Sequence, residues 1–247
     1  MKFAPAIPFA FGLALLAGWE AMTSLARVPE YLLPPPSKII AEADANLLVA
    51  LAVTSAEALA GFVIASALAF LIAVLFVRFG ALERGLFPLM IAIKTTPLVA
   101  IAPLLVLWLG TGWWSKVAAA VLICFFPTLV NTVKGLKAAD TEYFELFRSL
   151  GAGRAQEFRK LRIPFCLPYL FSALKIASSL AVVGAIVSEF VGATQGLGYL
   201  IMVSSSHLET ATLFSAIFAS ALAGITFFYA IQLAESWFVF WQSGKTE

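Results

Sequence analysis

Six stretches of about twenty or more mostly apolar residues govern what this chain can fold into. They lie at about 4–25, 51–77, 86–109, 115–133, 168–192 and 210–236. An α-helix rises about 1.5 Å per residue and a bilayer's hydrocarbon core is about 30 Å thick, so each stretch is long enough to cross as a helix. In lipid the backbone must satisfy its own N–H and C=O groups, which selects helices for segments of this length. Charge is correspondingly scarce, at 12% of 247 residues against about a quarter in a water-soluble domain. The expected fold is an all-α polytopic membrane protein with six transmembrane helices, its single transmembrane domain running over 1–247. Disorder, a coiled coil, a collagen-like fibre and a disulfide scaffold are excluded. Pro and Gly within the spans mark expected kinks or close helix contacts.

Lys and Arg give the orientation, because cytoplasmic loops accumulate them. With the N-terminus inside, the inner segments hold Lys2, Arg78, Arg84, Lys134, Lys137, Arg148, Arg154, Arg159, Lys160, Arg162 and Lys245, while the outer ones hold only Arg27, Lys38 and Lys116. Both termini are therefore expected in the cytoplasm. No small-x-small cleavage site precedes a soluble domain, and apolar spans continue downstream, so the apolar N-terminus reads as a retained first helix. Trp108, Trp113 and Trp114 at the outer turn, and Trp237 and Trp241 at the inner end of the last span, read as interfacial anchors. A net charge of +2 leaves no nucleic-acid footprint. Cys124, Cys166 and His207 are too few and too scattered for a disulfide framework or a metal site, and no catalytic constellation of Ser-His-Asp or paired carboxylates is evident.

Two connections stand out. After the first span, Pro34, Pro35 and Pro36 precede Ser37, a candidate cap for a short surface helix from Lys38 to about Asn46. Between the fourth and fifth spans, 134–166 is the longest polar stretch and holds seven basic and four acidic residues. There Asp140 is a candidate N-cap and Glu142 complements the helix's positive end. Tyr143, Phe147 and Leu150 recur at i, i+4 and i+7, flanked by Phe144 and Leu146. Gly151 and Gly153 suit the left-handed geometry that ends helices. A second short helix from Arg154 to Arg162 is expected to stop at Pro164. The pattern alone leaves two roles open: an amphipathic turn resting on lipid, or a knob for a soluble partner's groove.

The spacing Glu145, Gly151, Leu161, Ile163–Pro164 resembles the cytoplasmic EAA loop of ABC importer permeases, which reads E-A-A, three residues, G, nine residues, I-x-L-P. Glu145, Gly151 and Pro164 occupy its strongest positions, whereas Leu146 and Phe147 replace the two alanines. Pro97 to Gly110, Phe125-Phe126-Pro127 with Asn131-Thr132, Arg148 to Ala152, Glu189 to Leu200 and the outer L-P-P-P-S segment are similar to the nitrate, sulfonate, taurine and pyrimidine-precursor permeases. The resemblance covers about 32–202 in order.

The resemblance implies a type I importer architecture whose loop forms a coupling helix docked on a separate ATPase. Glu145 would make polar contact there, Gly151 would permit the sharp turn, and Pro164 would start the return to the membrane. Phe144, Phe147 and Leu150 are added to that docking set from the apolar stripe. It further implies a second copy of the chain, two cytoplasmic ATPases carrying ATP and Mg, and an outer substrate-binding protein.

Gly244-Lys245-Thr246 mimics the end of a phosphate-binding loop, but Val239 stands where its first glycine belongs, so this chain is not expected to bind ATP by that route. Gly192, Gly196 and Gly198 open no strand–helix unit and read as shaping an outer turn. A charge left unpaired in lipid costs roughly 2.5–3.5 kcal/mol, so Glu57, Lys94, Lys175 and Glu189 should face protein or water. Glu57 and Lys175 read as structural. Lys94, three residues before Pro97, and Glu189 are candidates for the translocation pathway or a gate, with structural pairing as their alternative. The rival function is an ion-coupled secondary transporter, which would need ion-coordinating groups on broken helices and often inverted repeats. No convincing inverted repeat is visible.

Overall fold

The computed structural model describes residues 6–242 and is all-helical. Lys2, Lys245 and the Gly244-Lys245-Thr246 segment lie outside the described residues. The long helices are α1 (Ala6–Leu25), α3 (Ala45–Arg78), α4 (Gly80–Thr95), α5 (Leu98–Leu109), α6 (Trp113–Leu136), α9 (Ile163–Glu189) and α11 (Thr210–Phe238); shorter ones are α2 (Pro36–Ala41), α7 (Thr141–Ser149), α8 (Arg154–Glu157) and α10 (Leu197–Ser206). Among the described residues, four helical stretches are long and apolar enough to cross a bilayer: α3, α6, α8 through α9, and α11. The α4–α5 pair makes a fifth if it crosses as a unit.

α6 is the centre, packed against α3 on one side and α9 on the other, with α11 against α9. Small side chains let these backbones approach. Ala58, Gly61, Ala65, Ala69 and Ala73 form the buried stripe of α3, and Ala173, Ala177, Ala181, Gly184 and Ala185 that of α9. In lipid, association rests on close packing rather than on water exclusion, so such stripes supply the attraction. Ala120 of α6 is held between two glycines. A Cβ at Gly61 would collide with it, and a Cβ at Gly184 would come within 2.8 Å of its Cα. Large side chains such as Leu71, Ile176 and Leu222 point outward, away from the other helices.

Several expectations change. The span at 86–109 is two helices meeting at 97°: Thr96 is extended, a conformation that the following Pro97 favours, and Pro97 cannot donate an N–H. The surface helix is Pro36–Ala41, not 38–46. Asp44 accepts a 2.9 Å bond from the Leu47 N–H and so starts α3 at Ala45, six residues before the expected span. Ser37 does not cap. Its hydroxyl donates 2.8 Å to Glu20, and Pro35 takes the N-cap position. The chain does not stop at Pro164 either. A π-turn at Phe158–Arg162 links α8 to α9, and Pro164 sits in the first turn of α9, where its missing N–H is not needed. Asp140 precedes α7 in extended backbone but makes no capping bond. Gly151 takes φ +72°, whereas Gly153 stays at φ −74°.

Candidate functional site

Three places carry unusual chemistry. The first is α7, at the end of the bundle where α6 and α9 meet the 134–166 loop. Gly151, with its positive φ, turns the chain sharply away. Of the apolar residues, Phe144 and Phe147 are half-buried against the bundle, while Leu150 is 75% exposed and Leu146 52% exposed. Tyr143 packs on Phe165 with ring centroids 5.4 Å apart, and the Arg162 guanidinium lies 4.6 Å from the Phe144 ring centre. Arg162 also donates 3.0 Å to the Leu136 carbonyl and 3.1 Å to Glu157. One side chain thus ties α7, the last turn of α6 and the π-turn together. Glu145 is exposed on α7, and Pro164 is half-buried at the start of α9.

The second place is the break between α4 and α5. A cavity of about 470 Å³ opens there against α6, with Thr95, Thr96 and Pro97 on one wall and Phe125, Phe126 and Pro127 on the other. Lys94 lines it, its ammonium 4.7 Å from the centre of the Phe126 ring. An aromatic face and a cation in a mostly apolar recess form a polarised surface for a small solute.

Glu189 is elsewhere. It is 2% exposed and does not line that cavity. Its carboxylate accepts from the Thr54 hydroxyl at 2.7 Å and from the Gly198 N–H at 2.5 Å, while Thr54 accepts from the Leu197 N–H at 2.8 Å. These amides open α10, so the carboxylate meets that helix's positive end. A Cβ at Gly196 or Gly198 would run into the Glu189 side chain, which is why both positions are bare. Lys116, 2% exposed, donates to the Thr111 carbonyl beside the same cluster, and Glu57 faces Glu189 with one carboxyl oxygen unpartnered. Lys175 pairs with Glu235 at 2.7 Å, matching its structural reading.

Residues 38–239 match the family described as the binding-protein-dependent transport system inner membrane component. The chain belongs to it. Over 239 residues it is 37% identical to the formylaminopyrimidine transport permease protein ThiX of Halalkalibacterium halodurans, covering 95% of each chain. It is 34% identical to the riboflavin transport system permease protein RibX of Chloroflexus aurantiacus, covering 93% of this chain and 87% of the relative. A chain of the inward-facing MetNI methionine ABC transporter shares the fold, with a TM-score of 0.56 at 20% identity over 78% of this chain and 93% of that one. The protein is thus a multi-pass permease of an ABC importer for a small solute, and the ion-coupled alternative is set aside.

The permease contains functional candidates that its sequence alone did not single out. Arg162 counted there only as one more basic residue, and nothing in its spacing announces three partners. Thr54 and α10 were missed because their role depends on a contact 135 residues away in sequence. Leu146 was readable, since Tyr143, Leu146 and Leu150 also share one face at i, i+3 and i+7.

Proposed function

We propose that α7 is the coupling helix through which two cytoplasmic ATPases, carrying ATP and Mg, drive this permease. In this reading the chain forms half a pore and pairs with a second copy of itself. It crosses the membrane six times, counting α1 and the α4–α5 pair, with both termini in the cytoplasm, and it receives solute from an outer binding protein. The observation carrying the proposal is the exposed face of α7. Leu146 and Leu150 stand uncovered beside the charged Glu145 on a helix too short to persist alone, while Phe144 and Phe147 anchor it to the bundle.

ATP-driven approach of the ATPases would move the two docked helices, and Arg162 would carry that motion to α6 and α9. Coupling requires only that the docked state favour a different transmembrane arrangement in each ATPase state. The Lys94–Phe126 recess is proposed as part of the pathway, and Glu189 as holding α10 to the outer end rather than acting as a mobile gate. A flat heteroaromatic solute, of the kind named for the 37% identical relative, suits an apolar recess with one cation better than a hydrated inorganic anion does; a sulfonate or nitrate remains the second choice on charge.

The test is reconstitution with the cognate ATPase and binding protein. Glu145→Ala and Gly151→Val should keep membrane insertion and ATPase association in the resting complex but lose at least about tenfold in uptake per ATP hydrolysed. Uptake at the unsubstituted rate, with the ATPase bound, would discard the assignment.

A further inference from the structure

At the loop-bearing end a second cavity, of about 670 Å³, lies between the last turn of α3 and the π-turn. Arg78, Arg148, Arg154, Arg159 and Arg162 line it, and Glu157 is the carboxylate among its lining residues. That carboxylate is engaged by Arg162. Among the described residues, Arg78, Arg148, Arg154 and Arg159 make no ion pair. Guanidiniums gathered around one concavity repel each other, and four of these five have no ion-pair partner among the described residues. Its other wall is apolar. Val74, Leu75 and Val77 of α3 line it, and Leu75 is 47% exposed. Arg78 ends α3 one turn beyond Val74, where a span gives way to the headgroup layer.

We infer that this cavity binds the phosphate of an anionic phospholipid from the inner leaflet, the headgroup between the arginines and an acyl chain along Val74 and Leu75. Forked guanidinium donors match phosphate oxygens bidentately, and basic pockets between helices on the cytoplasmic side are built for such headgroups. A soluble phosphate would use the arginines but leave the apolar wall idle. An acidic surface of the ATPase could meet Arg148 and Arg154 on the loop, but it would leave Val74 and Leu75 of α3 uncovered. A lipid there would brace α3 against the π-turn that Arg162 joins to α7. The inference rests on the cytoplasmic placement of the loop proposed above, but not on α7 docking, so the Glu145 and Gly151 variants and the lipid experiment fail separately.

The experiment releases the full-length permease from nanodiscs of phosphatidylcholine containing about one fifth phosphatidylglycerol, and counts retained lipids by native mass spectrometry. Phosphatidylglycerol should be retained over phosphatidylcholine. The double variant Arg78→Gln/Arg159→Gln should weaken that retention roughly thirtyfold, at about fivefold per basic residue, with Arg84→Gln as the unaffected control outside the cavity. Arg78→Lys/Arg159→Lys, which keeps charge but loses the fork, should fall between them, and it serves if the glutamine pair does not fold. Equal phosphatidylglycerol retention in the unsubstituted chain and both double variants overturns the site. Displacement of the lipid by inorganic phosphate alone overturns its lipid identity. Loss of ATPase co-purification with lipid retention unchanged reassigns the arginines to the partner and overturns it too.

Discussion

Glu189 is a buried carboxylate whose contacts argue for a structural role within a span. Its two oxygens accept from Thr54 and Gly198, and Thr54 in turn accepts from Leu197. Removing the carboxylate leaves the Thr54 O–H and the Gly198 N–H without an acceptor in a buried place, at about 1–3 kcal/mol for each stranded donor. Glu189→Ala should therefore lower the unfolding temperature of the detergent-purified permease by several degrees, and Glu189→Gln, which keeps an acceptor, by less. Thermal unfolding followed by circular dichroism checks this, and an unchanged midpoint in the alanine variant would contradict the capping role. Lys94 predicts the opposite pattern. It is exposed beside Phe126, so Lys94→Met should leave stability nearly unchanged yet reduce kcat/KM for uptake about tenfold, the equivalent of one cation–π or ionic contact. Both residues drew attention in the sequence as charges inside spans. What separated them was burial and the identity of their partners, which spacing does not encode.

Among the elements, the long helices were legible because twenty apolar residues in a row admit few alternatives. Their ends were not. Asp44 moved the start of α3, and Pro97 broke a span that hydropathy reads as continuous, since an apolar run says nothing about where the backbone bends. The π-turn was hidden for a related reason. Pro164 signals that a helical hydrogen bond is missing, but not whether the helix ends or starts afresh around it. The loop helix itself was visible in the recurrence of Tyr143, Phe147 and Leu150, although the structure turns the phenylalanines inward and leaves Leu146 and Leu150 facing out. Arg162, which spans three elements, gives the prediction for this scale. Arg162→Gln should loosen α7 from α6, leave ATPase binding in place, and cut uptake severalfold, with Arg162→Lys recovering only part because it cannot fork. Parallel transport and ATPase assays on the reconstituted complex read this directly.

For the molecule as a whole, the proposed orientation is testable with the two native thiols left in place. Cys124 and Cys166 are 0% and 1% exposed, and their Sγ atoms lie 3.1 Å and 3.5 Å from the carbonyls of Ala177 and Thr132, so neither should react with maleimides until the protein unfolds. Against that silent background, Ser206→Cys should be labelled by a membrane-impermeant maleimide in intact cells, and Ser149→Cys only after the cells are opened. The reverse pattern would invert the topology. The meeting of Gly61, Ala120 and Gly184 has a consequence for how such a protein changes shape. Three spans touch there nearly backbone to backbone, with Ile123 the large side chain packed against Gly184. Packing this close favours movement of α3, α6 and α9 together, which leaves the near-right-angled joint at Pro97 and the widened turn before α9 as the places where the chain can bend.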